Sequence, residues 1–320
     1  MNDIAARKID IAPLEDSTKL IGNAHAMRQR WAEDGVLFLR NVIDPELILW
    51  AREKFRDALA AEGLIDPALE PPIWTGKAPK TRRPCDAIGT EVWHEFIKRP
   101  QLNSYLRDIF DAEPVWIPIA GHRSSLPTGP IGQNEDIFAG RHQDGYFNAG
   151  MLFTTCWMPI RDFDLNSGSF AVAPGSHQHG SLYDTVQHKM YPDAVPDDAW
   201  RSADFRAGDV LIFHYHTAHT TLPNPSNLIR MSLDVRAIPA TAPQPMIGTV
   251  EKVEGNDVTI RKEDDSLAVI HVTPDTFIRD MLPTPRLSTS DLLKVAYPGA
   301  HVMATADVDG NAAVIRRNFY

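Results

Sequence analysis

The sequence predicts a mainly β protein, in which a β-sandwich or barrel is flanked by N-terminal helices and followed by a second, smaller β-barrel. Between residues 115 and 238, short apolar segments alternate with Gly, Pro and Asn, a spacing typical of sandwiches and barrels. Before residue 110, apolar residues recur at helical spacing, which indicates amphipathic helices. After Pro239, a turn-rich linker leads into another set of short strands.

Helices are predicted in the first third of the chain. They cover residues 24–33, the segment from Asp44-Pro45 to Ala60, and residues 90–110 with a break near Pro100. Asp is a good N-cap and Pro is favoured at the first helical position, so Asp44 and Pro45 mark a helix start. A long Pro-rich loop over residues 66–84 separates the helical segments, and loops of this length are often functional.

Strands are predicted at residues 36–39, 115–119, 151–158, 169–173, 209–216 and 228–238. The last strand is the most informative, because its residues alternate strictly in polarity. Its apolar members are Ile229, Met231, Leu233 and Val235, and its polar members are Arg230, Ser232, Asp234 and Arg236. Alternate residues of a strand lie on opposite faces. One face should therefore pack against the helices, while the other meets water or a polar site.

The chain is predicted to divide into a large domain, residues 1–240, and a small accessory β-barrel, residues 246–320. Short strands separated by turns at residues 248–253, 258–261, 267–272 and 312–316 resemble an OB-like barrel. Such barrels often bind nucleic acid or sugars. This segment has more acids than bases and lacks a row of aromatic residues. We therefore expect it to dock, to form a homo-oligomer or to cover the mouth of the active site.

Composition excludes several classes of partner. The net charge is -10, which argues against nucleic acid, because neutralising phosphates requires clustered Lys and Arg. Two cysteines, Cys85 and Cys156, give no basis for a disulfide framework. The N-terminal segment has no apolar core of a signal peptide, and no apolar run reaches the roughly 18 residues of a membrane helix. The sequence therefore predicts a cytoplasmic protein without a membrane partner.

His142 and Asp144 are the first candidate metal ligands. If they lie in a strand, both side chains project from one face and Gln143 projects from the other. His219 is the candidate third ligand. Two histidines and one carboxylate form the facial triad of non-heme Fe(II) oxygenases. The His-X-Asp pair alone is a weak signal, because such pairs are common on surfaces and in turns.

An ordered set of motifs strengthens this interpretation. The set comprises His142-Gln143-Asp144, Trp157, Asn166-Ser167-Gly168-Ser169, Pro174-Gly175-Ser176-His177, Gly208-Asp209, Phe213-His214, and His219 with Asn224, Ser226 and Arg230. In this order, over residues 25–240, the motifs resemble the phytanoyl-CoA dioxygenase (PhyH-like) family of Fe(II)/2-oxoglutarate-dependent oxygenases. The resemblance implies a double-stranded β-helix, a jelly-roll of the cupin type with helices outside.

The resemblance also implies roles for individual residues. The iron ligands would be His142, Asp144 and His219, and the co-substrate residues would be Arg230, Ser232, Thr221 and Trp157. Arg230 would pair with the distal carboxylate of 2-oxoglutarate, since a guanidinium matches a carboxylate with two parallel hydrogen bonds. With O2, the enzyme would release succinate and CO2 and oxidise a C–H bond of a small molecule by hydroxylation, desaturation, cyclisation or epoxidation. The presence of Asp144 argues against halogenation.

Two other functions remain open from the residues alone. One is a cupin-type metal isomerase without a redox step, and the other is a catalytically silent barrel that binds a metal or ligand. His214, His216 and His219 could alternatively form a zinc site. Arg230 and Ser232 discriminate between these functions and the oxygenase. They would form a clamp for the carboxylate of 2-oxoglutarate, which an isomerase does not need.

Substrate-binding residues are predicted from position alone. The candidates are His122, Arg123, Gln133 and Tyr146, which lie in the strand and loop of residues 115–134 or directly after the ligand pair. An ordinary structural role is an equally good interpretation for each of them.

Overall fold

The computed structural model describes residues 9–81, 83–148, 151–184, 189–280 and 287–317. The α-helices among these residues are α1 (Ala24–Asp34), α2 (Pro45–Ala61), α3 (Glu91–Ile97), α4 (Pro100–Phe110) and α5 (Leu292–Val295). The strands are β1 (Ala12–Pro13), β2 (Val36–Leu39), β3 (Pro114–Ser125), β4 (Thr154–Pro159), β5 (Phe170–Val172), β6 (Tyr183–Asp184), β7 (Lys189–Met190), β8 (Arg201–Ser202), β9 (Val210–His214), β10 (His219–Thr221), β11 (Arg230–Pro239), β12 (Met246–Glu254), β13 (Asp257–Lys262), β14 (Leu267–His271), β15 (Phe277–Arg279), β16 (His301–Ala306) and β17 (Ala312–Arg317).

The N-terminal helices form where the sequence predicts them. The backbone N–H of Glu46 donates to Oδ1 of Asp44 at 2.9 Å, and Pro45 occupies the first turn of α2. The predicted helical segment of residues 90–110 consists of two helices, α3 and α4, and Pro100 begins the second. The first eight residues, where no signal peptide is predicted, lie outside the described residues.

A five-stranded antiparallel sheet in the order β2-β9-β4-β11-β3 carries the helices on its outer face. The apolar residues of β11 are fully buried against α1 to α4 in one core cluster, as their alternation predicts. The polar residues of β11 face the other way, towards the interior of the sandwich. Because β11 pairs with the edge strand β3 on one side and with β4 on the other, this polar face is enclosed between two strands of the sheet.

A second sheet, β1-β8-β5-β10, faces the first. Their shared core contains Val36, Phe38, Trp157, Phe163, Phe170, Val172, Phe205, Leu211 and Phe213. Strands from both sheets contribute to this cluster, so the two sheets pack face to face. This mainly β jelly-roll with helices on one side is the predicted architecture.

The C-terminal region, residues 246–317, contains a six-stranded sheet in the order β14-β13-β12-β16-β17-β15. All four predicted strands are present, and the sheet has its own apolar core with α5. An isolated parallel bridge joins His271 to Asn311. The strand order is that of an open sheet, so the closed OB-like barrel stays a prediction. A second cluster joins this region to the rest of the protein through Met303 and Val314, which pack with Ile117, Met151, Phe153 and Ile238.

In the part of the chain that the structure describes, the helices are too short or too polar to cross a membrane.

Candidate active site

His142 and His219 are brought together by their own backbones. The N–H of each residue donates to the carbonyl oxygen of the other at 2.9 Å, in an isolated antiparallel bridge. Their imidazole rings consequently lie side by side, with centroids 4.1 Å apart. Asp144 completes the group, because its Oδ1 lies 3.7 Å from Nε2 of each histidine. One ligand atom from each of the three residues falls within 4.8 Å of the others.

The ligand pair His142 and Asp144 does not lie in a regular strand, the conformation in which alternation would place both side chains on one face. Only His142 makes a β-bridge, and Asp144 begins a short 3-10 helix, Asp144–Phe147. Gln143 does project away from the ligands, as expected. Its buried amide donates to the carbonyls of Gly180 and His216, at 2.8 Å and 2.5 Å, and accepts from the N–H of Leu182 at 2.7 Å. These hydrogen bonds of Gln143, in place of regular strand pairing, hold the ligand loop, the segment that carries His142 and Asp144.

In both histidines the Nε2 atom is the one that lies towards Asp144. Nδ1 of His142 lies 2.9 Å from the carbonyl oxygen of Gly140, and Nδ1 of His219 lies 2.9 Å from that of Thr217. A carbonyl only accepts, so each Nδ1 carries the proton. Burial, assisted by the neighbouring His142, lowers the pKa of His219 to about 3, so its imidazole is neutral. Two imidazoles held through Nδ1, with Nε2 directed at a carboxylate, suit a divalent metal ion.

The carboxylate of Asp144 is held ionised. Its Oδ2 accepts hydrogen bonds from Nη2 of Arg236 at 2.6 Å and from Oγ1 of Thr155 at 3.3 Å. Burial alone would raise the pKa of Asp144, but Arg236 and the two ligand histidines outweigh it and hold that pKa well below its usual range. The carboxylate therefore has one oxygen bound by the protein and one directed at the histidines.

Arg236 belongs to a buried chain of charges. Its Nη1 lies 3.6 Å from Oδ1 of Asp234, and Asp234 accepts from Nε and Nη2 of Arg123 at 3.1 to 3.2 Å. A Cβ on Gly121 would lie 2.3 Å from Oδ1 of Asp234, so only glycine leaves room for this pair. Arg236 therefore contacts a candidate metal ligand as well as the neighbouring Asp234.

The polar face of β11 also carries the predicted co-substrate clamp. Arg230 is 3 % exposed, and its Nη1 and Nη2 donate to the carbonyl of Gly168 at 3.1 Å and to Oγ1 of Thr221 at 3.3 Å. Within the described residues, Nε of Arg230 and Oγ of Ser232 are buried without a hydrogen-bond partner. Burial lowers the pKa of Arg230 to about 9, and the charge of Arg123 contributes. Buried polar groups without partners are costly, so this pair fits a ligand carboxylate.

An aromatic wall connects the clamp to the candidate metal ligands. The guanidinium of Arg230 lies 5.8 Å from the ring centroid of Trp157, which stacks on Phe170 at 4.7 Å. The ring of Phe170 in turn lies 5.5 Å from that of His219. Trp157 therefore lies beside Arg230, and the structure brings the predicted ligands, Arg230, Ser232 and Trp157 to one interior site, with the exposed Thr221 bonded to Arg230 at its edge.

The predicted substrate residues do not all reach this site. His122 pairs with Leu233 in the sheet and packs edge-on against Phe55 of α2, with ring centroids 5.7 Å apart, so it faces the helices. Arg123 faces the interior but is bound to Asp234. Gln133 lies in an exposed turn. Tyr146, directly after Asp144, stacks on Tyr183 with centroids 3.9 Å apart.

The alternative zinc site is not assembled. Among the described residues, the cluster able to hold a metal is that of His142, Asp144 and His219. The ring of His214 instead packs against Trp31 and His177, with centroids 5.9 Å and 5.1 Å away, and burial lowers the pKa of His214 to about 3.

Sequence reasoning missed Arg236 and Thr155 as partners of Asp144. Arg236 was identifiable as a member of the polar face that also carries Arg230 and Ser232. Nothing in the sequence pattern identifies Thr155.

Comparisons with known proteins agree with this geometry. Residues 31–232 match the family "Phytanoyl-CoA dioxygenase (PhyH)". The 1-deoxypentalenic acid 11-beta-hydroxylase of Streptomyces exfoliatus is 28% identical over 247 residues, covering 71% of this chain and 85% of that protein. The enzyme of the same name from Streptomyces arenae is 26% identical over 249 residues, with the same coverage. The structure of the epimerase SnoN in complex with Fe3+, alpha ketoglutarate and nogalamycin RO is similar in fold, with a TM-score of 0.50 at 18% identity, covering 68% of this chain and 84% of that one.

The family match covers well over half of the chain and includes His142, Asp144, His219, Arg230 and Ser232. The donor set and the clamp fit iron and 2-oxoglutarate, as described above. The chain therefore belongs to the phytanoyl-CoA dioxygenase family and is a non-heme Fe(II)/2-oxoglutarate-dependent dioxygenase that uses O2.

Proposed function

We propose that this enzyme hydroxylates a C–H bond of a small-molecule substrate. In the balanced reaction, substrate, 2-oxoglutarate and O2 give the alcohol, succinate and CO2, with one oxygen atom entering the alcohol and the other entering succinate. The two sequence relatives are named as hydroxylases of 1-deoxypentalenic acid, which favours hydroxylation over desaturation, cyclisation or epoxidation. Iron bound by the triad would supply O2 activation.

The observation that carries the proposal is the pairing of the triad with a clamp that lacks a partner. Arg230 and Ser232 are two residues apart on the inner face of β11, and each buries a polar atom without a partner among the described residues. A 2-oxoglutarate carboxylate offers acceptors for both. A non-redox isomerase or a silent metal-binding barrel has no use for such a pair.

The remaining residues around the site orient the reactants and exclude water. Arg236 and Thr155 hold one oxygen of Asp144, so the other stays directed at the histidines. Trp157, Phe163 and Phe170 form an apolar wall beside Arg230. In such a dry setting, the attraction between a guanidinium and a carboxylate is stronger than in water.

The first test is anaerobic titration of the Fe(II) protein with 2-oxoglutarate. Binding is measured by the weak visible metal-to-ligand charge-transfer absorption of the complex. Removing a buried hydrogen-bonded charge partner costs about 2 kcal/mol or more, so Arg230→Ala should weaken 2-oxoglutarate binding by roughly 30-fold or more. Arg261→Ala is the matched control, because this arginine lies on the surface of the C-terminal region and bonds to Glu251.

An absent absorption band in the wild-type protein, or an unchanged affinity in Arg230→Ala, would contradict the proposed function. Where the band forms, succinate release should be measured with O2 across a library of small molecules. The product of a true substrate should gain one oxygen atom. A product that instead loses two hydrogen atoms would replace hydroxylation with desaturation or ring closure.

We also infer that residues 1–240 and 246–320 are two domains of this enzyme. The apolar core of the C-terminal sheet contains only residues from that region, which supports the division. Residues 1–8 and 318–320 lie outside the described residues.

A further inference from the structure

The short 3-10 helix Asp144–Phe147 carries a candidate metal ligand at its first residue. A single helical turn fixes many backbone angles for few hydrogen bonds, so it is not stable by itself. Its position depends on contacts with the rest of the protein. Gln143 holds the chain before the turn, through hydrogen bonds to distant backbone groups. A different residue, Asn148, holds the chain after it.

Asn148 ends the turn and bonds back to its start. Its backbone N–H donates to the carbonyl oxygen of Gly145 at 3.2 Å, and its Nδ2 donates to the carbonyl oxygen of Asp144 at 3.0 Å. Asn148 is buried, so water competes little for these bonds. The position of the Asp144 backbone, from which the ligand side chain extends, therefore depends on Asn148.

The carbonyl end of the Asn148 side chain is held by the C-terminal region. Nη1 of Arg316, in β17, donates to Oδ1 of Asn148. A guanidinium only donates and a backbone carbonyl only accepts, so these two partners fix which end of the amide faces each of them. Two consecutive hydrogen bonds thus lead from β17 to the backbone of Asp144.

Arg316 lies on the face of β17 that packs against the rest of the protein. Residues two apart in a strand share a face, so Arg316 and Val314 point the same way. Ile315, between them, belongs to the apolar core of the C-terminal region. Strand alternation therefore places the guanidinium at the contact between the two regions. Val314 belongs there to the interface cluster, which comprises Ile117, Met151, Phe153, Ile238, Met303 and Val314.

Two further contacts fix the same turn at this interface. The ring of Phe277, in β15, meets that of Tyr146 at 6.0 Å in an edge-on contact. Tyr215 packs against the interface cluster, and its carbonyl oxygen accepts from the N–H of Gly145 at 2.8 Å. A Cβ on Gly145 would lie 2.5 Å from Cδ2 of Tyr215, so the turn lies as close to this tyrosine as its backbone permits.

We propose that the C-terminal region positions a metal ligand, and that Arg316 and Asn148 are positioning residues for Asp144. Arg316 holds Asn148, Asn148 holds the carbonyl oxygen of Asp144, and the carboxylate of Asp144 thereby stays directed at the histidines. Arg236 orients the same residue at its carboxylate end. Arg316 lies outside residues 31–232, which match the family, so a region beyond that match contributes to the candidate metal site.

The test is anaerobic calorimetric titration of the full, metal-free chain with Co(II), together with the visible spectrum of the Co(II) protein. Asn148→Ala removes both hydrogen bonds and should lower the affinity about tenfold. Arg316→Met retains the apolar stem without a donor and should lower it roughly fivefold, as expected for one hydrogen bond. Both variants should alter the spectrum, which reports ligand geometry. Arg316→Lys restores a donor and should recover part of the affinity.

The double variant Asn148→Ala/Arg316→Met tests the order of the two contacts. If Arg316 acts through Asn148, the double variant binds Co(II) like Asn148→Ala alone, because the two losses are not additive for residues in one chain of hydrogen bonds. Losses that add would show that Arg316 does not act on Asp144 through Asn148, and would overturn the inference.

Arg317→Met is the matched control. It removes the neighbouring arginine of the same strand, which bonds to Asp280 and Tyr297, and it should bind Co(II) like the wild type. An equal loss in Arg317→Met would show that the C-terminal region acts only through its general stability. Wild-type affinity and spectrum in either folded single variant, Asn148→Ala or Arg316→Met, would also overturn the inference, so one of them suffices if the other does not fold.

This inference goes beyond the proposed function, because it concerns how the candidate metal site is built. The titrations contain neither 2-oxoglutarate nor a substrate, and their outcome is therefore independent of which reaction the enzyme catalyses.

Discussion

Nη2 of Arg236 donates a 2.6 Å hydrogen bond to Oδ2 of Asp144, while Oδ1 of the same carboxylate faces Nε2 of His142 and His219 at 3.7 Å. The guanidinium is itself fixed by Asp234 at 3.6 Å and by the carbonyl oxygen of Ile119 at 3.3 Å. Arg236 therefore sets which oxygen of Asp144 is available to a metal ion. It is a positioning residue for the candidate metal site.

Substituting Arg236 should weaken metal binding. Loss of a partner that orients a metal ligand typically costs about 10- to 100-fold in affinity, so Arg236→Gln should lower the affinity for Fe(II) or Co(II) by that factor. Arg236→Lys should be intermediate, because it restores the charge without the planar fork. The measurement is anaerobic calorimetric titration with each metal, together with the visible spectrum of the Co(II) protein, which reports ligand geometry.

Arg261→Gln controls for removal of an arginine, since Arg261 is a surface residue of the C-terminal region. If Arg236→Gln binds Co(II) with wild-type affinity and an unaltered spectrum, Arg236 does not position Asp144.

Ser232→Ala should separate ligand binding from folding. In the described part of the chain, Oγ of Ser232 is fully buried and lacks a hydrogen-bond partner. Removing it should leave the free energy of unfolding of the ligand-free protein unchanged or slightly higher. The affinity for 2-oxoglutarate should fall by about fivefold, equivalent to one hydrogen bond of roughly 1 kcal/mol.

The two quantities are measured by urea unfolding and by anaerobic titration of the charge-transfer band. A variant that is clearly destabilised without 2-oxoglutarate, yet binds it normally, would show that the hydroxyl serves the fold rather than the co-substrate.

His122 should make the protein sensitive to acid. Burial, reinforced by Arg123 and opposed by Asp234, lowers the pKa of His122 to about 4. Its folded pKa lies below the ordinary value of about 6.5, so the unfolded chain binds the proton first as the pH falls. The contribution of neutral His122 to the free energy of unfolding is fully present above about pH 6.5 and is lost as the pH falls towards 4. Between pH 7 and 5, the free energy of unfolding should fall by on the order of 2 kcal/mol.

His122→Leu should remove this part of the pH dependence, as measured by urea unfolding of both proteins at pH 7 and pH 5. It should also retain turnover, because His122 faces Phe55 and the helices rather than the ligands. A variant with normal folding but without activity would restore His122 as a substrate residue.

Local patterns in the sequence predict much of the fold and part of the candidate site. The alternation along β11 places Arg230 and Ser232 on the inner face, because the two-residue period is a property of the strand itself. The contact between Arg236 and Asp144 joins residues 92 positions apart, and no local pattern encodes it. The 3-10 helix that begins at Asp144 is not encoded locally either, because the side chain of Gln143 replaces strand pairing with hydrogen bonds to distant carbonyls. The packing of Phe277 on Tyr146 likewise depends on how the C-terminal sheet meets the segment that follows Asp144.

Gln143 should control the ligand loop as a whole. Its side chain is fully buried and serves three backbone groups, the carbonyls of Gly180 and His216 and the N–H of Leu182. Gln143→Leu leaves these groups buried without a partner, at about 1–3 kcal/mol for each unsatisfied group. We expect it to lower both the free energy of unfolding and the affinity for Co(II), because the same loop carries two ligands. Arg236→Gln should instead lower the metal affinity with a smaller effect on the free energy of unfolding. Urea unfolding and calorimetric metal titration of both variants therefore separate the role of Gln143, which holds the loop, from that of Arg236, which orients the carboxylate of Asp144. Equal losses of stability in the two variants would mean that Arg236 also acts through the fold.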